Sequence, residues 1–216
     1  MADSKATVTR PTVRVGVFVP TGAQLLDSAC VDVFCIMSHE YLAGLGSMLP
    51  QAIIDLAPDV PIYWISPVPQ GDPIKMTAGM SVVCTHHLSD PAVQPGKLDI
   101  VLVPGPDPSL TWDQDVLSWL QQHAANPKTD ILSVCTGIFL CGEAGLLKGK
   151  QASGPRGLQK QIKDRFEGVK LVGDDIRWVR DGNFWSSGEY PTSLASPDHA
   201  SIRLADISYR GHHQWQ

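Results

Sequence analysis

Cys135 stands where the sequence changes from one backbone pattern to another, and its chemistry would come from that change. Residues 131–134, Ile-Leu-Ser-Val, suit a strand, and the spacing from Thr136 onward suits a helix. A cysteine at such a junction sits at the tip of a tight, strained turn. The N-terminus of the helix offers partial positive charge and free N–H groups, which lower a thiol pKa and bind an anion. Gly137 leaves space where the turn crowds the neighbouring backbone, and the Thr136 N–H is placed to donate to an oxyanion. The competing reading is a small core hydrophobe, since cysteine is among the most buried residue types. Cys141, inside the same helix, is expected to be of that kind. For Cys135 the turn favours a nucleophile.

The elements that must hold this turn follow from periodicity. Residues 12–19 are β-branched and apolar, as in a buried strand, and Pro20-Thr-Gly22 ends it. Asp27 precedes a helical segment with Val31, Phe34, Cys35 and Leu42 at roughly helical spacing. Strands are expected at 62–66, 81–85, 98–103 and 131–134, with helices at 113–125, from 136, and at 158–166. Residues 175–180 and 183–187 read as a hairpin across Asp181-Gly182, with Trp178 and Trp185 in its core. This alternation calls for an α/β fold, a doubly wound and mostly parallel sheet sandwiched by helices. Ligands in such sheets bind beyond the carboxyl ends of the strands. Cys135, Gly105 and Asp27 all fall there. One α/β domain at 12–188 is expected, with a short tail at 1–11 and a polar segment without an apolar stripe at 189–216.

Composition narrows the partners. Of the 216 residues 43% are hydrophobic and 18% charged, and the net charge of −5 argues against nucleic acid or an anionic membrane surface. No apolar run approaches the ~20 residues a membrane helix needs. Five cysteines with no CxxC pair fit reduced thiols better than disulfides or a zinc site, so a cytoplasmic protein with no metal is expected. His86-His87 reads as a surface or loop pair.

Several stretches, in order, resemble the ThiJ/PfpI superfamily, whose fold is that of the class I glutamine amidotransferases. They are Ser-Val-Cys-Thr-Gly at 133–137, Ala-Gly-Leu-Leu-Lys-Gly-Lys-Gln-Ala at 144–152 and Gln-Leu-Leu-Asp at 24–27. Leu-Asp-Ile-Val-Leu-Val-Pro-Gly at 98–105 and Arg-Trp-Val-Arg-Asp-Gly-Asn-Phe-Trp-Ser-Ser-Gly at 177–188 complete the set. The threonine after the cysteine is most similar to the isonitrile hydratase branch. The resemblance implies that Asp27 points its carboxylate at the Cys135 sulfur and trades protons with it, although an Asp there also suits a helix cap. It gives Asp32 and Phe34 structural roles. Cys30 stands where relatives often carry proline, either as a resolving thiol or, more simply, as packing.

The implied reaction is cofactor-free. Cys135 adds to the terminal carbon of an isonitrile, Asp27 supplies the proton, and water releases an N-substituted formamide. A small-molecule substrate and a homodimer are expected. Three departures bear on this. Pro106 replaces a glycine whose N–H helps form the family's oxyanion site, leaving Thr136 N–H and the Asp107 N–H, with Gly105, Gly137 and Trp112 around the pocket. No histidine follows Cys135 or lies in 151–157, which disfavours peptidase chemistry. Residues after Gly188 lack the family's long apolar helix, which reads as divergence of a terminal segment, a truncated or alternatively spliced product, or a tail that folds in its own way. Two alternatives stand beside the leading one: glyoxalase- or deglycase-like turnover of α-oxoaldehydes, and a non-catalytic redox-sensing or partner-binding role for Cys135.

Overall fold

Four-residue strands with every side chain buried lie at the centre of the computed structural model, which describes residues 10–188. In β1 (Val15–Phe18) and β6 (Ile100–Val103) no position faces water, because helices or loops cover the sheet on both sides. They pair in parallel with each other, β1 with β2 (Ile62–Ser66) and β6 with β7 (Asp130–Val134). At one flank β2 pairs with β5 (His86–His87); at the other β7 pairs with β11 (Phe184–Ser187). The outermost β10 (Trp178–Asp181) is antiparallel to β11; Asp181 pairs with Phe184, so the turn is Gly182-Asn183, one residue later than the Asp181-Gly182 expected. The seven-stranded order is β10-β11-β7-β6-β1-β2-β5. It is the mostly parallel sheet that the strand–helix rhythm called for.

Alternate residues of each strand serve opposite faces. Phe18, Val101, Val103 and Ile131 pack under α5 (Gln114–Ala125), α6 (Gly137–Glu143) and α7 (Gln159–Arg165). Val17, Leu102 and Leu132 face the other way, towards Ile74, Met76 and Val31, while Val15 and Ile100 meet Phe34. Full burial of this many Val, Ile and Leu side chains, each worth about 1.5–3 kcal/mol, holds the layers together.

Four expectations change. Asp27 does not precede the helical run but lies inside its first piece, and the run is broken into three short helices, α1 (Leu25–Ser28), α2 (Val31–Ile36) and α3 (His39–Gly44), followed by α4 (Gln51–Leu56). The chain restarts at Ser38, whose hydroxyl accepts the Tyr41 N–H at 3.2 Å and caps α3. The strand expected at 81–85 is β4 (Ser81–Val83), which leaves the main sheet to pair with β3 (Pro73–Lys75). His86 and His87 are half-buried in an edge strand, His86 meeting the Tyr63 ring edge-on, and are not loop residues. A parallel pair of two-residue strands, β8 (Gln151–Ala152) and β9 (Lys170–Leu171), was not foreseen. The segment 189–216 and most of the tail at 1–11 lie outside the described residues.

His123, near the end of α5, is fully buried. Its Nε2–H donates to Val93 O at 3.1 Å, and its ring lies 4.0 Å from Trp119. Nδ1 has no hydrogen-bond partner among the described residues. Burial lowers its pKa from 6.5 to about 4, so the unfolded chain binds the proton more readily across that window. The stability this confers is complete above pH 6.5 and is lost as pH falls towards 4, by about 3 kcal/mol. Chemical denaturation at pH 7 and pH 4 should therefore show His123→Leu gaining about that much relative to wild type on acidification.

Candidate active site

The cysteine turn is strained as its sequence pattern implied. β7 ends at Val134, Cys135 adopts φ 54, and α6 begins two residues later behind Thr136. A left-handed φ is unfavourable for a residue with a Cβ, and among the described non-glycine residues only Ala78 shares it. The strain is held by backbone: Cys135 N–H donates to Ser187 O at 2.9 Å, carrying the β7–β11 pairing one residue past the strand. Gly137 is the other support. A Cβ there would overlap Val103 O, so only glycine lets the first turn of α6 rest on the end of β6.

Asp27 reaches the cysteine from α1. It is 1% exposed, and Gly105 N–H donates to its Oδ2 at 3.1 Å. Its carboxyl also lies close enough to the Cys135 side chain for each to shift the other's titration. It caps no helix: Gln24 and Cys30 precede α1 and α2, and neither helix has a side-chain cap. The loop carrying Asp27 is tied down on both sides. Gln24 N–H donates to Gly105 O at 2.9 Å, and Leu25 N–H donates to the Thr77 hydroxyl at 2.9 Å. A Cβ on Gly105 would overlap both Asp27 Oδ2 and Thr136 Oγ. This glycine therefore sits between the carboxylate and the elbow.

The electrostatics correct one expectation. The Cys135 thiol is not lowered by the start of α6 but pushed up to about 11, first by burial and then by the charge on Asp27. Thr136, next to the sulfur, opposes this without reversing it. Asp27 rises from 3.8 to about 6, burial outweighing the bonds from Gly105 and Cys135. Between about pH 6 and pH 11 the pair therefore holds a single proton, and the carboxylate is the base that can take it from sulfur.

The remaining candidates divide. The Thr136 hydroxyl donates to Pro106 O at 2.7 Å, so the Gly105-Pro106 peptide lies against the elbow. Asp107 is exposed, and its carboxylate turns back to accept the N–H and hydroxyl of Ser109 at 2.9 and 2.7 Å. Trp112 packs in the core beneath α5 and α6, and its indole N–H donates to the Thr21 hydroxyl at 3.4 Å. It braces two loops rather than lining an open pocket. Cys30 donates to Asp27 O at 3.0 Å and is pushed up to about 12, which suits packing and not a resolving thiol. Cys141 is buried, as expected. Trp178 and Trp185 stack at 6.2 Å in the hairpin.

Sequence reading missed Thr77 and the Ser187 carbonyl. Both act through a hydroxyl or backbone group of a distant segment, for which residue type gives no signal. A cavity of about 640 Å³ lined by Arg14, Tyr63 and Lys97 lies at the amino ends of the strands, away from Cys135. Among the described residues no cluster of three or more His, Cys, Asp or Glu could hold a metal, and no helix is long and apolar enough to cross a membrane.

Comparison with known proteins agrees with this architecture. The model of the DJ-1/PfpI family matches residues 35–196. Isonitrile hydratase of Pseudomonas putida is 29% identical over 143 residues, covering 64% of this chain and 57% of that protein's length. A THiJ/PfpI family protein from Pseudomonas syringae superposes with a TM-score of 0.59 at 20% identity, over 84% of this chain and 64% of its own. DJ-1 from Schizosaccharomyces pombe gives 0.60 at 18% identity, over 94% and 99%. A putative transcriptional regulator from Vibrio parahaemolyticus gives 0.65 at 20% identity, over 93% and 94%.

Proposed function

Since this chain belongs to the DJ-1/PfpI family, we propose that it is a cysteine-dependent enzyme that hydrates isonitriles to N-substituted formamides. One observation carries the reading: Cys135, strained at the head of α6, stands beside the buried carboxyl of Asp27, which Gly105 N–H holds in place. The distant likeness to an isonitrile hydratase supports the choice of substrate.

The geometry suits addition of S–H across one carbon. As the sulfur bonds the terminal isonitrile carbon, Asp27 accepts the thiol proton and delivers it to that same carbon, leaving a thioimidate, R–N=CH–S–Cys135. Water then adds to the thioimidate carbon, with Asp27 relaying its proton to nitrogen. The carbon–sulfur bond breaks, sulfur recovers its proton and R–NH–CHO leaves. Delivering the proton as the bond forms avoids a free thiolate, which burial and the Asp27 charge disfavour. The same raised thiol weighs against a redox-sensing role, since the thiolate is the species peroxide oxidises.

A cytoplasmic homodimer is part of the proposal. Tyr41 on α3, Met48 in the turn after it and Ile53 and Leu56 on α4 are exposed apolar side chains that a second copy would cover. The activity is tested by incubating wild type and Cys135→Ala with an alkyl isonitrile and measuring formamide. Wild type should produce it, and the variant should fall at least about 10³-fold. Equal rates would sink the proposal.

A further inference from the structure

Two hydrogen-bond donors at the elbow are already committed. Gly105 N–H is committed to Asp27 Oδ2, and the Thr136 hydroxyl to Pro106 O. Residue 106 is a buried proline pressed against Thr136 through its own carbonyl, and its nitrogen carries a ring carbon in place of hydrogen. The N–H groups of Thr136 and Asp107 are left, one fewer than the chain would offer with an N–H at residue 106. A tetrahedral intermediate from an ester or α-oxoaldehyde puts a full charge on oxygen, and each missing donor costs about 10²–10³ in rate.

We infer that Pro106 is a specificity-determining residue, which makes this elbow selective for linear electrophiles with an sp carbon and against carbonyl electrophiles. The inference rests on Cys135 being the nucleophile of the proposed reaction. It extends that reading by stating what the site refuses. Addition of S–H to an isonitrile carbon forms one S–C and one C–H bond, and no oxygen is present to become charged. In the second step the proton is accepted by nitrogen, and the new oxygen enters from water as a hydroxyl. The reaction proceeds to the formamide without the donor that Pro106 removes. Acyl transfer does not, because its charge must rest on the carbonyl oxygen before the leaving group departs.

The test restores the N–H. Pro106→Ala and Pro106→Gly are compared with wild type for two reactions at Cys135, mapped by mass with Cys135→Ala as blank. One is acylation by p-nitrophenyl acetate, which passes through an oxyanion; the other is alkylation by iodoacetamide, which does not. The ratio of acylation to alkylation should rise at least about tenfold in both variants. The alkylation rate itself reports whether the elbow is still folded. A ratio within about threefold of wild type in both variants would overturn the inference. Formamide production by wild type is scored separately. A raised ratio without isonitrile turnover keeps the selectivity and rejects the substrate, and a flat ratio with turnover does the reverse.

Discussion

Asp27→Asn is expected to lower isonitrile turnover by at least about 10²-fold while making the protein more stable above pH 6. The two effects have one cause. Asp27 is buried, and its raised pKa means that the fold favours the protonated carboxyl more than the unfolded chain does. The folded state therefore binds more protons between 3.8 and about 6, and stability falls as pH rises through that window. The loss amounts to about 3 kcal/mol and is complete above pH 6. Asparagine keeps an oxygen for the Gly105 N–H but carries no charge. Unfolding curves at pH 8 should therefore favour the variant, with the gain vanishing near pH 4. A variant less stable at pH 8 would contradict the assignment.

Activity moves the other way because asparagine cannot accept the thiol proton. The acid limb of kcat/KM, set near pH 6 in wild type, should disappear from whatever activity remains. Iodoacetamide should meanwhile alkylate Cys135 faster in the variant at pH 8–9. Removing the neighbouring charge takes away the second-largest cause of the raised thiol pKa. His123 acts against Asp27 over almost the same window, losing stability as pH falls where Asp27 gains it. Wild type should consequently look nearly flat between pH 4 and pH 6.5, and Asp27→Asn should uncover the acid loss due to His123.

Two glycine variants should separate chemistry from folding. In Gly105→Ala the added methyl meets the side-chain oxygens of Asp27 and Thr136, which must shift from their hydrogen bonds, and comes within 3.1 Å of the Thr136 nitrogen. The protein should fold with a cost of about 1–3 kcal/mol, yet lose about 10²-fold or more in activity, because the carboxyl leaves the sulfur. In Gly137→Ala the methyl meets Val103 O, a backbone atom of a central strand that cannot move alone. Here the melting temperature should fall furthest, by the equivalent of about 3 kcal/mol or more. Thermal melts beside turnover assays decide it. If Gly105→Ala lost stability and kept activity, Asp27 would not be where the reaction needs it.

The strained cysteine could be read from the sequence because the change from strand to helix periodicity is local. The buried strands were legible for the same reason, an unbroken apolar run. Their partner was not. Asp27 is a lone acidic residue far from Cys135 in the chain, and residue type alone favoured a helix cap; only resemblance to a family pointed it at sulfur. The thiol pKa was misjudged because a helix start is visible in sequence while burial is a product of tertiary packing. β4 alternates like any strand, but nothing in its residues says that it leaves the main sheet to pair with β3. His86 and His87 are polar and few, so an edge strand there carries no periodic signal.

The central claim is that Cys135 forms a covalent thioimidate. Rapid acid quench of wild type with excess isonitrile, followed by intact-mass analysis and peptide mapping, tests it directly. The account predicts an adduct equal to one isonitrile on the peptide that carries Cys135, absent from Cys135→Ala and diminished in Asp27→Asn. Formamide accumulating with no adduct, and at an undiminished rate in Cys135→Ala, would contradict it.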